Sequence, residues 1–394
     1  MPGLAPNARS SSIAESATLA ISAAAKRLRA AGADVVSLGA GEPDFPTPEP
    51  IARAGIAAIE RGDTRYTAAA GTPELRAAGA RWLASLGLRY TADEVMVCAG
   101  AKAALHMALD TIVEPGDRVL ILAPHWVSYP ALVALANGVP VVVPAMPERG
   151  FVHDAATLAA AARAHRAKGL IVNYPNNPSG AVPSRAELEA LVDVAAQHDL
   201  WIVSDEIYSA LVYDGAEHVS PAAVRGGRER TVVVNGFTKS HTLTGWRTSF
   251  LAAPAKVVAA AERIQSQVLG NPCTVSQAAL LAACADPLPD EVARRVRAFD
   301  ERRRYLVDAV NRVPGLAAIT PRGAFYVLID VRRPCAARGI DDVAACAELL
   351  ERHHLALVPG SAFAIPGFVR ASYAAALPEL EKAIERLTAW VAPR

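Results

Sequence analysis

The 394-residue sequence predicts an α/β protein with a mostly parallel central sheet, helices on both faces and a smaller α+β domain. Two patterns carry that prediction. From about residue 50 to residue 280, short apolar β-rich runs alternate with helical patterns, as parallel strands joined by crossover helices require. The last hundred residues instead place a long charged helix, a hairpin around GAFYVLID and a terminal helix in succession.

In chain order, an alanine-rich helix is expected near residues 21–31, and strands at 95–97, 118–122, 170–172, 200–203 and 231–234. Between the third and fourth strands, Ser184 with Glu187 three residues later forms a capping box. Leu188, Leu191, Val192 and Ala195 then fall on one helical face. These elements divide the chain into an N-terminal arm with part of the small domain (1–45), a large domain (46–290) and a small C-terminal domain (291–394). No repeat at solenoid periods interrupts them.

Composition excludes several classes of function. Forty Lys and Arg against 39 Asp and Glu leave a net charge of +1, without the basic excess that phosphate backbones demand, so no nucleic-acid partner is expected. The five cysteines, Cys98, Cys273, Cys284, Cys335 and Cys346, are scattered and lack CxxC spacing, as suits reduced thiols in the cytoplasm. Nine histidines form no HExxH or similar spacing, so no metal is expected. No run of eighteen apolar residues predicts a membrane span.

Ligands of open parallel sheets bind beyond the carboxyl ends of the strands, and there the unusual polar residues cluster. Run 118–122 leads into APHWVSYP, with His125 and Trp126. Run 170–172 leads into NYPNNPSG, whose prolines stiffen the loop around Asn177. Run 200–203 leads into SDEIY, placing Asp205 and Glu206 directly after a buried strand. Run 231–234 leads into NGFTKSHTLTGWR, with one isolated lysine, Lys239, and Arg247 eight positions on. Run 95–97 leads into CAGAKAALHMAL, where Gly100 opens a helix whose free N–H groups suit a phosphate.

Alone, each residue has a plain structural use: Lys239 as a solvated charge, Asp205 and Glu206 as a pair favouring a helix dipole, Trp126 as packing. Together they gather an anion site, a flat aromatic, an amide, an acid and an amine at one sheet edge. An aromatic, phosphorylated aldehyde that bonds to an amine and carries a pyridine nitrogen needs this set. Pyridoxal 5'-phosphate is the cofactor this points to.

The segments SLGAGEPDFPTP, RYTAAAGTPELR, PHWVSYP, NYPNNPSGAV, SDEIYSALVYDG, FTKSHTLTGWR, PRGAFYVLID and VPGSAFAIPGFVRASYA resemble, in order, the marker segments of fold-type I pyridoxal-phosphate enzymes. The likeness is greatest to class I aminotransferases of the bacterial aspartate aminotransferase branch and covers residues 15–390. It implies that Lys239 bonds the cofactor and moves the substrate proton, and that Asp205 pairs with the ring nitrogen. Tyr208 and Asn177 would donate to the ring oxygen, and Trp126 would stack on the ring. Arg247 and the backbone of Gly100, Ala101 and Lys102 would hold the phosphate. Tyr66 would reach the phosphate of a neighbouring subunit, so a homodimer with shared active sites is implied. Arg370 would clamp the substrate carboxylate beside Gly41, Trp126 and Asn177. The implied activity is amino exchange between an amino acid and a 2-oxo acid. Lys102 and Thr18, near the position of a distal carboxylate, favour an aspartate- or glutamate-like donor.

Several positions depart from that family's usual pattern. They are His125, Thr238, Ser240, His241, Ser249-Phe250 and the GNPCT segment near Asn271. Extra imidazole and hydroxyl groups near such a cofactor would suit a specialised cyclase, lyase or oxidase, which stands as the alternative reading. A non-catalytic, aminotransferase-like regulator is disfavoured by the intact lysine, aspartate and arginine, and by the absence of a helix-turn-helix pattern before the motifs.

Overall fold

The computed structural model describes residues 4–11 and 13–392; the first three residues of the expected N-terminal arm lie outside them. After β1 (Val36–Ser37), seven strands build the large sheet: β2 (Val95–Cys98), β3 (Arg118–Leu122), β4 (Val139–Val143), β5 (Gly169–Asn173), β6 (Trp201–Asp205), β7 (Thr231–Asn235) and β8 (Ser249–Ala252). Five short strands follow: β9 (Ala317–Ile319), β10 (Tyr326–Asp330), β11 (Leu355–Ala356), β12 (Val358–Pro359) and β13 (Phe368–Ser372).

The large sheet has the order β2-β8-β7-β6-β5-β3-β4. Every pairing is parallel except the two that β8 makes. The strands β2, β5 and β7 are buried along their whole length, which is why they read as continuous apolar runs rather than alternating ones. Helices cover both faces and shield two apolar clusters, one containing Leu120, Leu170 and Ile202, the other Val119, Ile171 and Val203. Successive residues of one strand thus feed opposite layers.

Local chemistry fixes the helices that frame the sheet. Ser184 and Glu187 cap the helix Arg185–Gln197 reciprocally, as the capping box predicts, and the four apolar residues named for it are all buried. The helix Ala101–Ile112 starts at Gly100, whose φ of +88° only glycine adopts without strain. The charged segment forms one long helix, Pro289–Arg312.

A second sheet, β12-β13-β10-β9, is antiparallel throughout and contains the hairpin expected around GAFYVLID. β1 pairs in parallel with β11, and Ser372 N–H donates to Leu38 O, so the segment following the first long helix is tied to the last third of the chain. Among the described residues no helix is long and apolar enough to cross a membrane, and no cluster of His, Cys, Asp and Glu is built to hold a metal.

Candidate active site

Strand direction explains why so many polar residues meet. The parallel strands end at one sheet edge, and chain order reverses about β3, which is flanked by β4 on one side and β5 on the other. This is the topological switch point at which open α/β sheets form a crevice. Trp126 follows β3, Asn177 follows β5, and Asp205 is the last residue of β6. Because β8 runs backwards, the connection between β7 and β8 is a turn confined to that same edge. It carries Lys239 away from β7 and returns Arg247 just before β8.

A cavity of about 200 Å³ lies there. It is lined by Thr18, Gly41, Ala101, Trp126, Asn177, Asp205, Tyr208, Lys239 and Arg370 of the expected residues, together with Leu105, Tyr129, Asn173, Ile207 and Tyr326. Lys239 Nζ donates to the Gly41 carbonyl at 2.6 Å. Burial lowers its pKa to about 8, against the pull of Asp205 in the other direction. Asp205 is buried, and removal from water raises its carboxyl to about 6; Tyr129 donates to its Oδ2 at 2.8 Å and partly opposes that rise.

Arg370 is buried against the opposite wall. It donates through Nη1 to Asn177 Oδ1 at 2.9 Å and through Nη2 to Gly39 O at 2.6 Å. Among the described residues its Nε is buried without a partner, and the residue lines the cavity with its charge uncompensated by any carboxylate hydrogen bond. Asn173, at the end of β5, accepts from Asn177 N–H and donates to Asp205 O, locking the amide-bearing loop to the acid-bearing strand. Tyr208 has its hydroxyl 2.8 Å from that of Tyr326.

Gly100 and Arg247 meet at the start of the helix Ala101–Ile112. A Cβ on Gly100 would sit 2.7 Å from Arg247 Nη2, so only glycine admits the guanidinium beside the free backbone donors. Lys102 stands outside the cavity, with its ammonium 4.9 Å from the Trp126 ring centre, and lines an adjoining groove with Glu15 and Ser16. Tyr66 is fully exposed, in a separate depression with Arg65 and Gln277.

None of the residues that depart from the expected pattern is among those lining the cavity. His241 donates from Nε2 to Pro287 O and accepts at Nδ1 from Ser240 Oγ, while its ring packs edge-on against Phe237. Burial lowers its pKa to about 4, which keeps it neutral. His125 Nδ1 donates to Trp126 O, and its backbone N–H donates to Phe363 O. Glu206 turns from Asp205 towards Ser204, Ser220 and His218.

Tyr129, Asn173 and Tyr326 belong to the site although nothing in the strand-end pattern marked them. Tyr129 lay inside the quoted PHWVSYP, and Asn173 is the first polar residue after an apolar run. Tyr326 occupies a strand of the smaller sheet, where alternation reports only burial.

The chain matches the aminotransferase class I and II family over residues 33–387. It is 42% identical to an aspartate aminotransferase of Geobacillus stearothermophilus, covering 96% of this chain and 97% of the relative. It is 44% identical to an aspartate/prephenate aminotransferase of Thermus thermophilus, covering 94% of each. Among solved structures, the aspartate aminotransferase of Thermus thermophilus with maleate superposes with a TM-score of 0.93 at 41% identity, over 99% of this chain and all of that one. The aspartate aminotransferase of Rhizobium meliloti superposes with a TM-score of 0.94 at 39% identity, over 99% of each.

Proposed function

The chain belongs to the class I and II aminotransferases, and from that premise we propose that it uses pyridoxal 5'-phosphate to exchange the amino group between aspartate or glutamate and a 2-oxo acid. One observation carries the reading: Lys239, Asp205 and Arg370, from three distant parts of the chain, line the same cavity. The residues present suit the cofactor. An amine with a lowered pKa, a buried acid, a flat aromatic wall and a glycine-framed guanidinium match its aldehyde, ring nitrogen, ring face and phosphate.

When bound, the cofactor supplies the electron sink that allows a Cα–H bond to break. Asp205 holds the proton of the ring nitrogen, and Tyr129 fixes its carboxyl by occupying Oδ2. Tyr208 and Asn177 present donors to the ring oxygen. Arg247 and the N–H groups of Ala101 and Lys102 would hold the phosphate, whereas the Gly100 N–H donates to Cys98 O and Gly100 serves by making room for the guanidinium. Arg370 receives the substrate carboxylate on its planar fork, which sets the Cα–H bond within reach of Lys239. With a pKa lowered towards neutrality, the Lys239 amine takes that proton and returns it on the other side of the exchange.

The acidic substrate is supported by Thr18 in the cavity wall and Lys102 beside Trp126, and by relatives named for aspartate. The exposed Tyr66 and the shared active sites of the family pattern support a homodimer. A cytoplasmic setting accords with five cysteines that are all unpaired.

Steady-state assays with 2-oxoglutarate and a panel of amino donors test the assignment. A charge-assisted hydrogen bond is worth roughly 1.5–3 kcal/mol, so kcat/KM for aspartate should exceed that for leucine by about 10- to 100-fold, and Lys102→Ala should narrow the gap. Equal turnover of leucine removes the acidic assignment. Ammonia release or oxygen uptake in place of oxo-acid formation favours the specialised alternative.

A further inference from the structure

Tyr326 sits in the segment PRGAFYVLID, which assigns it no role, yet it touches three parts of the cavity wall: Tyr208, Arg370 and Gly41. Its hydroxyl lies 2.8 Å from that of Tyr208, in a contact buried on both sides. The Arg370 guanidinium carbon lies 4.4 Å from its ring centre. A Cβ at Gly41 would come within 2.7 Å of its hydroxyl oxygen, and the carbonyl of that glycine receives the Lys239 ammonium. β10 holds Tyr326 rigidly, in register with Ser372 of β13, with no exposure to solvent.

The hydroxyl pair contains two protons and one shared hydrogen bond, so its direction is a choice. Burial raises the pKa of both tyrosines, so both stay neutral and each has one proton to give. If Tyr208 spends its proton on a ligand in the cavity, it can meet Tyr326 only as an acceptor, and Tyr326 must be the donor. A hydroxyl that accepts one hydrogen bond becomes a stronger donor in the next.

We propose that Tyr326 is a positioning residue for the aminotransferase reaction: its hydroxyl donates to Tyr208, aims the Tyr208 proton at the ring oxygen of the cofactor, and strengthens that donation. The ring of Tyr326 serves separately as the platform beneath Arg370. This rests on the pyridoxal-phosphate reading above. It assigns the two halves of one side chain to different tasks, which the substitution Tyr326→Phe separates, since it keeps the ring and removes the hydroxyl.

The test uses the cofactor-loaded enzyme and two readouts. Weaker donation to the ring oxygen leaves more negative charge there, which binds the neighbouring exchangeable proton more tightly. The visible-absorbance pH titration of the bound cofactor should therefore move to higher pH in Tyr326→Phe. Because Arg370 keeps its platform, kcat should fall roughly three- to tenfold, the size of one neutral hydrogen bond, while KM stays within about twofold. In a double-mutant cycle with Tyr208→Phe, removing the Tyr326 hydroxyl should add nothing further. An unmoved titration, a change in KM rather than kcat, or effects additive with those of Tyr208→Phe would each overturn the assignment. Failure of the parent protein to bind pyridoxal phosphate, by contrast, would strike the function itself rather than the role of Tyr326.

Discussion

Lys239 shows how much one residue's chemistry depends on its neighbours. Burial works to discharge its ammonium, Asp205 and Glu42 work to keep the charge, and burial prevails, leaving a pKa near 8. In the cofactor-free protein the amine should therefore react with an acylating reagent at a rate that rises with pH through a midpoint of about 8. Solvated lysines should show theirs near 10.4. Mass spectrometry of the tryptic peptides separates the two populations, and a midpoint for Lys239 above about 10 would show that the cavity does not tune it. Arg370 makes the complementary case. Two of its nitrogens are held by Asn177 and Gly39, so Arg370→Lys loses the fork that meets a carboxylate. KM for the amino acid should rise about tenfold or more, with melting temperature little changed; an unaltered KM would remove Arg370 from substrate binding.

At the scale of elements, the turn between β7 and β8 is the organising piece. The apolar run of β7 announced a strand and the loop after it announced function. β8 is only four residues, SFLA, and follows a polar loop directly, so no periodicity identifies it. Its reversed direction is what brings Arg247 back to the edge that Lys239 occupies. Trp126, Asn177 and Asp205 line one cavity, as strand-end reasoning expects, because parallel strands deliver their following residues to one place. The same reasoning fails for Tyr326, which arrives from another sheet, and for Tyr129, whose partner Asp205 is 76 positions away. Long-range pairs of that kind leave no local trace.

The same turn carries a pH prediction. Neutral His241 bridges Ser240 and Pro287 behind the lysine, with its pKa lowered from an ordinary value near 6.5 to about 4. Its unfolded form takes up a proton first as pH falls, so the stability it contributes is complete above about pH 6.5 and is lost towards pH 4. Between pH 7 and 4.5 the unfolding free energy of the parent should fall by about 2 to 3 kcal/mol more than that of His241→Gln. Equal slopes in urea unfolding would show that His241 is not the buried neutral base.

At the scale of the molecule, the described surface leaves Tyr66 fully exposed, along with Ile56 and Ile59 on the helix Glu49–Glu60 and Val268 and Leu269 at the end of another. These exposed apolar side chains are the surface we propose a second copy covers, with Tyr66 among them. Sedimentation should give twice the 41.3 kDa chain mass, and a monomeric protein with full activity would contradict shared sites.

In the proposed reaction Lys239 holds the cofactor and surrenders it to an amino acid. Borohydride trapping followed by peptide mass spectrometry tests this most directly. The loaded enzyme should yield the reduced cofactor bonded to the Lys239 peptide. Prior incubation with aspartate alone should abolish that product, and adding 2-oxoglutarate should restore it. Label on any other lysine, or trapping at Lys239 that aspartate leaves unchanged, would contradict the account.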